Sequence, residues 1–95
     1  MAHGNTIRRM RHAGPETFED LDGLLVELRK LPGLTERKTG TFYRRSRAFL
    51  HFHSDPTGPF ADVRLSDEDD FVRFRVRTTT DRQRLLRQVR SAIRS

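Results

Sequence analysis

Arg47-Ala48-Phe49-Leu50-His51-Phe52-His53, answered by Phe60-Ala61-Asp62-Val63-Arg64-Leu65, is the stretch whose reading decides the fold. Both segments are rich in aromatic, β-branched and alternating residues, which marks two strands. The link Ser54-Asp55-Pro56-Thr57-Gly58-Pro59 is built from turn formers, and its two prolines lack an N–H, so ladder pairing is expected to stop there. An antiparallel hairpin across this link sets His53 opposite Phe60, His51 opposite Asp62 and Phe49 opposite Arg64. Side chains alternate between the faces of a strand. One face therefore carries Ala48, Leu50, Phe52, Ala61, Val63 and Leu65 and reads as core. The other carries Phe49, His51, His53, Phe60, Asp62 and Arg64, and any function is expected there. A slip of one residue would exchange the two lists.

Outward from the hairpin, the elements follow their periodicity. Phe18, Leu21, Leu24, Leu25, Leu28 and Leu31 recur at helical spacing, with Thr17 and Asp20 resembling a capping box and Pro32-Gly33 as the stop. Gly23 inside this helix suggests a close approach to the sheet. Short strands are expected at 34–38 and 41–45, joined by Thr39-Gly40. Ser46 lies between Arg45 and Arg47 as a tight turn into the central hairpin, which concentrates Arg44, Arg45 and Arg47 in one place. Over 71–77, Val72, Phe74 and Val76 point one way and Arg73, Arg75 and Arg77 the other. Such a row of guanidinium groups needs solvent or an anionic partner and suits a sheet edge. A last helix is expected from Thr80, capped with Gln83, with Leu85, Leu86, Val89, Ala92 and Ile93 as its apolar stripe and Arg82, Arg84, Arg87, Arg90 and Arg94 as a basic outer face.

The expected fold class is α+β, with two helices packed on one face of a four- or five-stranded, mostly antiparallel sheet. The 95 residues make a single domain over 15–95, preceded by a flexible basic arm over 1–14.

The net charge is +6 and Arg supplies 17 of the 19 basic residues, which suits phosphate or carboxylate partners. The absence of Cys excludes disulfides and thiol chemistry. With no apolar leader and no membrane-length apolar run, a cytoplasmic location without membrane association is the default expectation. The acidic run Ser66-Asp67-Glu68-Asp69-Asp70 lacks the spaced ligands and Gly of a calcium loop and reads as solvated.

Leu31-Pro32-Gly33-Leu34, then Ala48-Phe49-Leu50-His51-Phe52-His53, then Asp62-Val63-Arg64-Leu65 and a C-terminal helix together resemble a small bacterial family labelled luciferase-domain proteins, a domain of unknown function. The resemblance covers residues 17–94 and implies a short α+β domain in which His51, His53, Asp62 and Arg64 are motif positions. It implies no activity, since a flavin-dependent luciferase barrel needs about 250 residues.

Three readings attach to the face of Phe49, His51, His53, Phe60, Asp62 and Arg64, extended by Arg73, Arg75 and Arg77. The first is a non-catalytic binding or interaction module for a protein partner or a second copy, since Phe and Arg are enriched at interface centres. The second is single-stranded nucleic-acid binding, which uses aromatic platforms amid positive charge. The third is a metal site, with zinc or iron on His51, His53 and Asp62, or Asp62 orienting His51 as a base. No catalytic residue is assigned and, that metal aside, no cofactor is expected.

Overall fold

The computed structural model describes residues 11–66 and 70–94. The elements run β1 (Arg11–His12), α1 (Pro15–Asp20), α2 (Asp22–Arg29), β2 (Thr35–Lys38), β3 (Thr41–Arg44), β4 (Arg47–Asp55), β5 (Gly58–Val63), β6 (Val72–Arg75) and α3 (Thr79–Arg94). The fold is α+β. An antiparallel sheet in the order β2-β3-β4-β5-β6 carries the helices, and β1 pairs β4. Residues 1–10 of the basic arm and 67–69 of the acidic run lie outside the described residues. The last part of the expected arm is built into the sheet. β4 outruns β3, which reaches only Leu50, and β1 takes up the vacated edge at His53 and Ser54.

One apolar core joins helices and sheet. Leu21, Leu24, Leu25 and Leu28 meet Phe42, Leu50, Phe52, Ala61, Val63 and Val76, with Leu85, Val89 and Ala92 from α3. Each fully buried Leu or Phe contributes about 1.5–3 kcal/mol. Val72, at the far end of edge strand β6, is left exposed.

Several local expectations are corrected. The first helix begins at Pro15, capped by the Gly14 backbone, and divides at Leu21 into α1 and α2. Pro at the first helical position explains the earlier start, because its missing N–H is an orphan there anyway. Gly23 is exposed with open space around it and marks no close approach to the sheet. The close approach is at Gly40, whose φ is +76° and where a Cβ would run into the Phe18 ring. The last helix takes its cap two residues before the expected Thr80. Thr78 Oγ1 accepts from Asp81 N, while Asp81 Oδ2 accepts from the backbone N–H groups of Thr78 and Arg77. A carboxylate at the third helical position is the stronger reciprocal acceptor. Arg82 leaves the solvated outer face, donating to Val76 O at 2.9 Å and Asp20 O at 3.3 Å.

The central hairpin is tighter than its prolines suggest. Ser54 pairs with Pro59 and Asp55 with Gly58, which leaves Pro56-Thr57 as the turn. Pro59 O accepts from Val76 N, so the missing Pro59 N–H falls on the β6 side, beyond the last pair, Phe60 with Arg75. The pair of Pro59 with Val76 at the end of the ladder therefore has one bond in place of two, and Val76 O accepts from Arg82 Nε instead. Asp55 Oδ1 accepts from Thr57 N and Thr57 Oγ1 and holds the turn.

Arg29 and Glu36 join α2 to β2 through two hydrogen bonds of 2.6 and 3.0 Å, and Glu36 also accepts from Gly40 N. The Arg29 hydrogen bonds hold the Glu36 carboxyl below its ordinary value against the opposing effect of burial. A depressed folded pKa contributes stability that is present above the unfolded value and lost as pH falls through the folded one. Glu36→Gln should therefore cost about 1 kcal/mol at pH 7, a modest figure because Arg29 is exposed. In urea melts the deficit should shrink below pH 4.5, the ordinary value for this group. An undiminished deficit at pH 3 would assign the loss to packing.

Candidate metal and binding site on the second sheet face

The register places the chemistry. His53 lies opposite Phe60 and His51 opposite Asp62. Asp62 in turn lies opposite Arg73, and Phe60 opposite Arg75. Leu50, Phe52, Ala61 and Val63 go to the core. Alternation therefore turns His51, His53, Phe60, Asp62, Arg73 and Arg75 to the other face.

Asp62 is the centre of that face and the buried charged residue among those described. Arg73 grips it with both arms, Nε to Oδ1 at 2.8 Å and Nη2 to Oδ2 at 2.9 Å. His53 Nε2 lies 3.1 Å from Oδ2. The Asp62 side chain is 8% exposed and that of Arg73 49% exposed, so the carboxylate is fixed and its cation can reach water. Burial pushes the Asp62 carboxyl up, but the Arg73 hydrogen bonds and charge, aided by His53 and His51, outweigh it and hold the group below its ordinary value.

Aromatic contacts hold the imidazoles. His51 stacks on Phe71, centroids 4.7 Å apart at 29°, and meets His53 edge-on at 4.7 Å. Arg64 lies over the Phe71 ring at 4.4 Å, and Arg73 lies 5.8 Å from the centre of Phe60. One ligand atom each from His51, His53 and Asp62 fall within 4.8 Å of one another, the group of this kind found among the described residues.

Other expected members are placed differently. Phe49 is 3% exposed and belongs to the core. The cause is a bulge: Phe42 pairs with Leu50 and Tyr43 with Ala48, so Phe49 is an extra residue on β4, and a bulge re-aims the side chains around it. Arg77 lies past the end of β6, with its side chain packed over Gly58. Two contributions escape the sequence. Phe71 reads there as an ordinary strand residue, and Arg73 as one of three equivalent guanidiniums. A carboxylate between Ala61 and Val63 is the available signal, since a charge on a central strand needs a cation from a neighbouring one.

No known protein family matches the chain, and no curated protein or solved structure does so. No helix among the described residues is long and apolar enough to cross a membrane.

Two imidazoles and a carboxylate suit zinc or ferrous iron. Bonds near 2.1 Å put donors about 3.0–3.4 Å apart, and His53 Nε2 and Asp62 Oδ2 are 3.1 Å apart. The widest separation in the group, 4.8 Å, must close by about 1.4–1.8 Å for all three to share one ion. The obstacle is Arg73, whose hydrogen bonds to both Asp62 oxygens must give way. Arg73 also feels the charge of Asp55, and its exposed side chain has an alternative carboxylate nearby.

Proposed function

We propose that the protein is a non-catalytic binding module whose site is the His51, His53 and Asp62 cluster and whose ligand is a divalent metal of the zinc or ferrous class. The observation that carries this reading is the convergence of three suitable donors within 4.8 Å on adjacent central strands. Strand backbones place donors more firmly than loops do. Three protein donors leave further coordination positions for water or an exogenous ligand, to which a bound metal would supply Lewis acidity. Displaced from Asp62, the Arg73 guanidinium would sit beside those positions and favour an anionic ligand. A nucleic-acid reading keeps the positive charge of this face, but Phe49 offers no stacking surface from within the core.

Zinc titration followed by amide and imidazole NMR tests the reading. At 100-fold excess over Kd, zinc should stabilise the fold by about 2.7 kcal/mol. His51→Ala and His53→Ala should each remove most of that gain, and the zinc-induced shifts in the parent should centre on β4, β5 and the segment over 71–73 that contacts them. Perturbation at His3 and His12 alone, or zinc stabilisation that survives both substitutions, would reject the site.

A further inference from the structure

A pocket lies where one edge of β4 changes partner. β3 pairs with β4 only as far as Leu50, and β1 takes over at His53. The ends of those two strands stand apart across His51 and Phe52. Ala13 N donates to Phe52 O at 3.3 Å on one side of the gap, and the Thr39-Gly40 turn leads into β3 on the other. The cavity between them is about 540 Å³, within the range of about 300–1,000 Å³ over which proteins hold small molecules. Phe18, Leu50 and Phe52 give it apolar walls. The hairpin of β2 and β3 adds Lys38, Thr41 and Tyr43.

Two rings of this lining are held in place without a ligand. Phe18 meets Phe52 edge-on, centroids 6.4 Å apart at 83°, and lies against Gly40, where a Cβ would strike it. Arg37 covers the Tyr43 ring, 4.2 Å from its centre. Preformed walls reduce the ordering that binding must bring about. The charge of the lining is positive. The described residues around the pocket include no carboxylate, and no described carboxylate pairs with Lys38. Glu36, two positions away, is already engaged by Arg29 and by Gly40 N.

We propose that this pocket binds a small aromatic carboxylate, with its ring against Phe18 and Phe52 and its carboxylate at Lys38, beside the Thr41 and Tyr43 hydroxyls. Aromatic rings in edge-to-face contact gain more than the area they bury. An ammonium is a compact single charge, which one carboxylate balances, and hydroxyls can donate to the remaining lone pairs. The inference does not depend on the metal reading, because His51 borders both sites but supplies no donor to this one.

The test is a titration of the full chain with 3-phenylpropionate, 3-phenylpropionamide and propionate, followed by amide NMR. 3-Phenylpropionate should bind most tightly and shift residues 38–43 and 50–52 together with Ala13 and Phe18. Lys38→Gln should weaken its binding about fivefold, the upper end for an exposed charge pair. The same variant should leave the affinity for the amide and the response to zinc unchanged. Ala13→Leu, which narrows the gap, should weaken binding of both aromatic ligands about tenfold or more. Equal affinity for the acid and its amide, or for the acid and propionate, would overturn the proposal. So would parental affinity for the acid in Lys38→Gln, or shifts centred on other residues. Tighter binding of phenyl phosphate at the same residues would overturn the choice of a carboxylate.

Discussion

Arg73→Ala should destabilise the protein by about 2 kcal/mol at pH 7, and zinc should stabilise the variant more than it stabilises the parent. The first part follows from the asymmetry of the pair. Removing Arg73 strands a carboxylate that is 8% exposed. Stripping the partner from a fully buried pair costs about 3–5 kcal/mol. The figure is lower here because Arg73 is half in water and His53 remains beside Oδ2. The second part follows from competition. In the parent a metal must displace two hydrogen bonds of 2.8 and 2.9 Å. In the variant those oxygens are already without that partner, and the metal supplies the missing positive charge. Urea melts of both proteins with and without zinc read the two parts together. Equal zinc increments would show that Asp62 is no ligand, whatever the histidines do.

Phe49→Ala should cost about 3–4 kcal/mol, the range for a large aromatic removed from a packed core. The melting temperature of a domain this size should fall by about 12 °C or more. The same substitution at a side chain on an open sheet face would change stability by about 0.5 kcal/mol or less. The measurement thus separates the bulged strand from the regular alternation that the residue pattern alone suggests. A small effect would return Phe49 to the exposed face and restore a stacking surface for bases. Phe60→Ala is the matched comparison, since Phe60 is half-buried beside Arg73 and should lose much less.

Most of the architecture is legible in the chain because it rests on short-range periodicity. The leucine stripes of α2 and α3, the turn at Thr39-Gly40 and the central hairpin register are carried by residues close to one another in sequence. The pairing of His51 with Asp62 follows once the hairpin is centred. Misplaced details have local competitors of similar strength. Thr78-Asp81 and Thr80-Gln83 both resemble caps, and only the geometry of the chain arriving from Val76 selects the first. Pro59 reads as a strand breaker until β6 is known to end alongside it.

The candidate site divides the same way. Strand periodicity puts His51, His53 and Asp62 on one face, because alternation is a property of each segment by itself. Tertiary structure supplies what surrounds them: Arg73 on Asp62, Phe71 on His51, and Phe49 turned into the core. Those neighbours come from a strand beyond the acidic run and from a bulge against β3. Their placement depends on how separate segments are brought into register, and packing of the shared core sets that register.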